Sequence, residues 1–134
     1  MDQAASEWQR GAERTLSKLA DFGDVVILEN PPWGEDSREC AGRFNAPSVC
    51  VSSISERHKL KSEVESAAAA KFANASYIRT RQWFCVEDSC PIYASGRLVR
   101  VDRAHLTNDT AKMLAPLLSQ EITRQNMTST SKVP

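Results

Sequence analysis

An aspartate and a histidine stand three residues apart in the segment Val-Asp-Arg-Ala-His-Leu-Thr, residues 101–107. On a turn just before a helix, Asp102 and His105 can come within hydrogen-bond reach. The carboxylate then accepts a hydrogen bond from one ring nitrogen and fixes the tautomer, which leaves the other nitrogen free as a general base. Because the spacing is short, a turn-forming aspartate and a histidine near a helix N-cap are the commoner explanation of this pattern alone.

Four cysteines fall in two local pairs, Cys40 with Cys50 and Cys85 with Cys90. An even count at close spacing favours disulfides and an oxidising compartment, and of the three connectivities we expect these two local pairs. A zinc site is disfavoured because neither pair has the C-x2-C spacing. Four reduced cysteines in a cytosolic protein stay possible, because the polar N-terminus is not a signal peptide. If the disulfides form, we expect the export signal to lie upstream of Met1.

Three other residues are weaker candidates. We expect His58, in a charged stretch, to be a solvated helix residue. Ser37 ends a Gly-Glu-Asp-Ser run, but the run lies in a loop and does not lead into a helix, so we expect a solvated serine and no nucleophile. Trp33 is a candidate for lining a carbohydrate cleft.

The overall charge narrows the classes of partner. Lys plus Arg and Asp plus Glu both number 17, so the formal net charge is zero. Nucleic acids and anionic membranes select an excess of basic residues, so we expect no nucleic-acid partner. No apolar run approaches the roughly 20 residues that span a bilayer. The sequence contains neither a phosphate-binding glycine loop nor a cluster of metal ligands, so we expect no cofactor and no metal.

Helical and strand patterns alternate along the chain. Periodic apolar residues predict helices over 3–20, 55–74 and from 107, the last one interrupted by Pro116. The runs 25–28, 77–78 and 98–101 are predicted strands, the first of them buried on both faces as in a parallel sheet. Irregular stretches are predicted over 31–54 and 83–96. This alternation indicates an α/β fold, the trailing part of a doubly wound, flavodoxin-like three-layer domain with a short, incomplete parallel sheet over 1–125, and a disordered tail over 126–134.

The order of motifs in the second half of the chain is more specific than any one of them. The chain runs C-x4-C-P, a glycine-bearing turn, an extended segment, D-x-x-H-L-T and a helix with L-x-P-L-L. This order resembles the end of the SGNH hydrolase-like domain fused to membrane acyltransferases of the acyltransferase-three family. The first half is also similar, because a Trp-led helix feeds a Val-Val-Ile-Leu strand and then a loop with two cysteines. The resemblance covers about residues 8–124.

The resemblance implies that His105 is the general base of a Ser-His-Asp triad and that Asp102 orients it. The family's nucleophile lies in a Gly-Asp-Ser block, and its oxyanion-hole Gly and Asn come from two further blocks. We expect all three blocks upstream of Met1, so the chain by itself is expected to be nearly inert. The complete domain is expected to move an acyl group, such as acetyl, between a donor delivered by the membrane-embedded acyltransferase domain and a carbohydrate of the cell envelope. It is therefore expected to be extracytoplasmic.

Two other functions remain open at this stage. The chain could be a non-catalytic accessory or glycan-binding module that keeps the scaffold without the serine. It could also be a small cytosolic α/β protein with reduced cysteines, which a count of free thiols would distinguish from the other two functions.

Overall fold

The computed structural model describes residues 3–42 and 44–130, with side chains to residue 126. Two units are distinguished, one of residues up to 29, 56–79 and from 120, the other of 30–55 and 80–119. The elements in chain order are α1 (Gln3–Leu19), β1 (Val25–Leu28), α2 (Ser37–Cys40), β2 (Val51–Ser53), α3 (Glu56–Ala69), β3 (Ala75–Ile78), β4 (Ser89–Pro91), β5 (Tyr93–Ala94), β6 (Arg97–Leu98) and α4 (Asn108–Thr130). Short 3-10 turns cover Ala20–Phe22, Pro47–Cys50 and Arg81–Trp83.

The first unit contains a parallel pair of strands. β1 and β3 run side by side from Val25 opposite Ala75 to Leu28 opposite Ile78. Helix α3 precedes β3 and packs against α1, and each of the two helices buries apolar side chains, among them Leu16 of α1 and Val64 of α3. A parallel pair needs a crossover connection, commonly a helix, which explains the order strand, helix, strand. The predicted α/β fold with a short parallel sheet is confirmed.

Strand β1 is less buried than its apolar sequence predicts. Residues 25–27 are half-buried, and Leu28 is 42% exposed. Among the described residues β1 pairs only with β3, and its other side lines an open groove with Trp8 and Leu19 of α1. The prediction of a strand buried on both faces is therefore wrong for this structure, because β3 covers only an edge of β1 and the groove beside α1 leaves β1 partly exposed.

The second unit is built from short antiparallel pieces. β2 pairs with β4, and β5 forms a hairpin with β6 across Ser95 and Gly96, which both have positive φ. Glycine adopts this left-handed conformation without a steric penalty, which suits it to the turn. β2, β4, β5 and α2 lie inside the two stretches predicted to be irregular, where runs of two to four residues are too short to show a period, and β6 overlaps the predicted strand 98–101 only at Leu98.

The four cysteines form two disulfides, and the predicted local pairing is confirmed. Cys40 bonds to Cys50, with a Cα–Cα distance of 5.3 Å, and Cys85 bonds to Cys90 at 4.1 Å. The first pair is buried against Ile92. The second pair belongs to a buried cluster that also contains Ile54, Phe84 and Val99. Each disulfide is thus part of a small core within the second unit.

Helix α4 begins one residue after the predicted start. Thr107 is its N-cap, since the Thr107 Oγ1 accepts a hydrogen bond from the Thr110 amide at 3.2 Å. The helix continues through Pro116, whose ring nitrogen has no hydrogen to donate to the preceding turn. It ends at Thr130, so residues 126–130 are helical where the sequence predicts a disordered tail. Residues 131–134 lie outside the described residues.

Removal of either disulfide is expected to destabilise the second unit. The bridged cysteines are 10 and 5 residues apart, and loop-closure entropy then gives about 2.7 and about 2 kcal/mol, respectively. Urea unfolding of the double variants Cys40→Ala/Cys50→Ala and Cys85→Ala/Cys90→Ala measures both values. Protein denatured without reductant is the control and should not react with iodoacetamide. Alkylation at all four cysteines in this control would show that neither disulfide forms.

Candidate active site

The loop that carries the aspartate and the histidine is closed by antiparallel backbone pairing. Arg100 and Leu106 form a bridge, and the Val101 amide donates to the His105 carbonyl at 2.9 Å. One step outside that bridge, the Thr107 amide donates to the Val99 carbonyl at 3.0 Å. Residues 99–100 and 106–107 therefore form two antiparallel arms, and residues 101–105 form the tip of the loop that connects them.

Within this tip the Asp102 carboxylate accepts three hydrogen bonds. Its Oδ1 accepts from the backbone amides of Ala104, at 2.8 Å, and His105, at 2.7 Å. Its Oδ2 lies 2.8 Å from Nδ1 of the His105 ring. The two amides, that of His105 first, and then the ring hold the pKa of Asp102 well below its usual range. The carboxylate is therefore ionised at neutral pH and can only accept.

This arrangement decides the protonation of the imidazole. Since the carboxylate can only accept, Nδ1 of His105 carries the proton and Nε2 of the neutral ring has a free lone pair. The His105 side chain is 79% exposed, and that of Asp102 is 33% exposed. Among residues 3–42 and 44–126, none has a side chain hydrogen-bonded to His105 Nε2. The predicted pair thus has the geometry of a general base with an orienting carboxylate.

Contacts at the start of α4 fix the position of this loop. Thr107 Oγ1 donates to the Leu98 carbonyl at 2.9 Å while it caps the helix. Leu106 and Leu114 pack against the cluster that contains the Cys85–Cys90 disulfide. These contacts place His105 three residues ahead of the first helical residue, Asn108, with its ring outside the core.

A second segment, 33–39, contacts the loop from the side. The Gly34 amide donates to the Arg103 carbonyl at 2.9 Å, and Arg103 Nη2 lies 2.7 Å from Glu39 Oε2. Asp36 caps α2 and is paired with Arg38 at 2.7 Å. Arg38 holds the pKa of Asp36 below its usual range. Sequence reasoning missed the contacts of Gly34 and Glu39 with Arg103, because nothing local signals a contact between positions more than sixty residues apart.

The structure brings no serine to the pair. Ser37, expected as a solvated loop residue, is the first residue of the one-turn helix α2 and is half-buried. No hydroxyl within the described part of the chain is hydrogen-bonded to His105. Asp102 and His105 are therefore together in this chain, without a nucleophile beside them.

His58 differs from its expected solvated state. Its side chain is only 12% exposed, and its Nε2 lies 3.4 Å from a carboxylate oxygen of Glu29, which is 1% exposed. Glu29 follows β1 directly, and its amide donates to the Ile78 carbonyl at 2.9 Å. The helical period of α3 places His58 toward this strand end, and the buried carboxylate requires a partner there.

The fold is that of an α/β domain, and the site adds a hydrogen-bonded carboxylate–imidazole pair on a loop ahead of a helix. The family model described as SGNH domain (fused to AT3 domains) matches residues 1–120. The chain therefore belongs to this family, as the order of its motifs predicts, and is an SGNH-like domain of the kind associated with acyltransferases. No curated protein and no solved structure matches the chain significantly.

The low pKa of Asp102 predicts how the loop responds to acid. A carboxyl group whose pKa is lowered on folding stabilises the fold above its unfolded pKa of about 3.9, and this contribution is lost as the pH falls through the folded pKa. Below about pH 5, where ordinary histidines are already protonated, we expect the amide proton shifts of Ala104 and His105 to stay constant down to about pH 3 and to move only below that. NMR titration measures them, with Asp102→Asn as the reference that lacks the transition. A midpoint between about 3.9 and about 5 that is missing in Asp102→Asn contradicts the three-bond geometry.

Proposed function

We propose that this chain contributes the aspartate and histidine of a Ser-His-Asp triad to a domain that transfers an acyl group, such as acetyl, to or from a carbohydrate. The observation that carries the proposal is the state of His105. Its Nδ1 lies 2.8 Å from the Asp102 carboxylate, and its Nε2 points to no partner among the described side chains. A triad requires this tautomer, because the free nitrogen is the one that takes the serine proton.

The serine belongs to a segment outside this chain in the proposed mechanism. Its hydroxyl proton moves to His105 Nε2 while Oγ attacks the carbonyl carbon of the acyl donor. The bond from that carbon to the leaving group then breaks, and the imidazolium returns the proton to the leaving group. Asp102 stabilises the imidazolium through Nδ1 and remains ionised throughout. The serine is left acylated.

The second half of the reaction moves the acyl group from the serine to the acceptor, and His105 again accepts a proton and returns it. A hydroxyl of the acceptor sugar gives its proton to His105 Nε2, and its oxygen attacks the acyl-serine carbon. The bond to the serine Oγ breaks, and that oxygen regains the proton from the imidazolium. If water attacks in place of the sugar, the same steps give hydrolysis.

The family supports a proposal for the source of the acyl group and for the compartment. Its members are fused to acyltransferase-three domains, so we propose a membrane-embedded domain of that type as the source of the acyl group. Two disulfides support an extracytoplasmic location, because such bonds persist in oxidising compartments. Among the described residues, no helix has the length and apolar character that a bilayer span needs.

Substitution of His105 tests the proposal. In cells that produce the domain together with its acyltransferase-three partner, His105→Ala is expected to lower acetyl incorporation into envelope polysaccharide by at least about a thousandfold, because the base is lost. Asp102→Asn is expected to lower it comparably by favouring the wrong tautomer. Asp21→Asn, an exposed carboxylate in the first unit, is the matched control and should retain activity. Wild-type incorporation by His105→Ala would refute the role of this pair.

A fluorophosphonate probe tests whether the serine comes from outside the chain. Such probes react with serines that a base has activated. The purified chain is expected to stay unlabelled, since no serine of the described residues reaches His105. The complete domain is expected to be labelled at one serine outside residues 1–134, and His105→Ala should abolish that labelling. Peptide mass spectrometry locates the modified residue. Labelling of Ser37 or another serine of this chain would contradict the proposal.

One observation favours a second function, a non-catalytic glycan-binding module. Trp33 is 70% exposed, and its carbonyl accepts a hydrogen bond from Ser52 Oγ at 3.1 Å. A flat aromatic side chain on a held backbone offers an apolar surface that a sugar ring can cover. Binding of envelope oligosaccharide that is lost in Trp33→Ala, with acyl transfer unaffected by His105→Ala, would favour this module over the enzyme.

A further inference from the structure

Arg100 is the most deeply buried charged residue among the described residues of the second unit. Only 2% of the residue is exposed, and its Nη1 and Nη2 have no hydrogen-bond partner within the described part of the chain. Burial lowers the pKa of this guanidinium from its usual value. An unpaired buried charge is strongly unfavourable, so its presence calls for a structural or functional reason.

The surroundings of Arg100 show what its side chain holds in place. The guanidinium lies over the ring of Phe84, 5.3 Å from the centroid, a distance at which a cation and an aromatic face attract. The stem passes directly beneath Gly34. A methyl group on Gly34 would lie 2.8 Å from both Cδ and Nε of Arg100, closer than real side chains approach.

Gly34 connects this side chain to the loop 101–105, which contains Asp102 and His105. Its amide donates to the carbonyl of Arg103, which stands between Asp102 and His105. The backbone of Gly34 does not have a positive φ, so its conformation is open to any residue. Glycine is therefore required here for space alone, and Arg100 is what fills the space.

We propose that Arg100 is a positioning residue for the Asp102–His105 pair. The Arg100 side chain packs against Gly34 and keeps the Gly34 amide within hydrogen-bond distance of the Arg103 carbonyl. The ring of Phe84 holds the guanidinium end of the same side chain. The pairing of Arg100 with Leu106 closes the same loop from below. Arg100 thus holds the loop in two ways. Its backbone pairs with Leu106, and its side chain packs against Gly34, which is hydrogen-bonded to Arg103. This inference rests on the proposed function for its significance, because the loop matters most if His105 is the base.

A double-variant cycle tests whether Gly34 and Arg100 act on the loop through their contact with each other. Gly34→Ala alone places a methyl group against the Arg100 stem and is expected to displace residue 34 from the loop. Arg100→Ala alone removes the support and is expected to loosen the same hydrogen bond. In Gly34→Ala/Arg100→Ala the new methyl group occupies vacated space, so the double variant is expected to resemble the wild type more closely than either single variant does.

Two NMR measurements on the 134-residue chain report the result without any catalysis. The first is hydrogen exchange of the Gly34 amide, expected to become about tenfold faster in each single variant. The second is the tautomer of His105, read from its ring ¹⁵N shifts at a pH of about 8.5, where ordinary histidines are neutral. The Nδ1–H form should fall toward its level in Asp102→Asn and recover in the double variant. The chain has two histidines, so the signals are few.

Matched variants distinguish positioning from general packing. Arg97→Ala removes an exposed arginine three residues away and should change neither measurement. Arg100→Lys keeps an aliphatic stem and a charge, and it should retain most of the Gly34 protection. If Arg100→Ala does not fold, Gly34→Ala and Arg100→Lys still decide the matter. Wild-type exchange and tautomer in Gly34→Ala, or strictly additive effects in the double variant, would overturn the proposal. Because neither readout needs acyl transfer, failure here is distinct from failure of the proposed function.

Discussion

The Asp102 carboxylate and the three hydrogen bonds it accepts form the constraint on which the site depends. Two of the donors are backbone amides of the same tip, and the third is the His105 ring, whose tautomer the carboxylate fixes. The carboxylate that shapes the turn is therefore also the group that orients the imidazole. A change at Asp102 alters the backbone and the imidazole together, since a neutral side chain could not accept from all three donors in the same way.

The remaining contacts of the second unit keep this small loop from fraying. Thr107 ties the start of α4 to the strand arm, and the Cys85–Cys90 cluster supplies the apolar surface on which Leu106 lies. Contacts from the segment 33–39 approach from the side through Gly34 and Glu39. A loop of five residues has little core of its own, so its rigidity must come from neighbours. These contacts fix the direction of the Nε2 atom on a well-exposed imidazole.

Prediction from sequence succeeded where the signal was local or periodic. The first helix, the first strand and the approximate start of the last helix follow from apolar spacing, and the two disulfides were expected from the close spacing of their cysteines. Prediction was poorer over 31–54 and 83–96, where strands of two or three residues depend on partners far along the chain. His58 shows the same limit, because its helical pattern is charged and only the buried Glu29 explains why the ring turns inward.

The residue types and their order determined the family, the α/β alternation and the candidate pair, because an aspartate three residues before a histidine needs only a turn to meet it. Only the tertiary structure decided that Asp102 and His105 are bonded through Nδ1, that Gly34 reaches the Arg103 carbonyl and that Arg100 lies buried beneath Gly34. The physical reason is how far apart along the chain the interacting residues lie. Hydrogen bonds within a turn are encoded by neighbouring residues, whereas a side chain's burial and its distant partners exist only once separate segments have packed together.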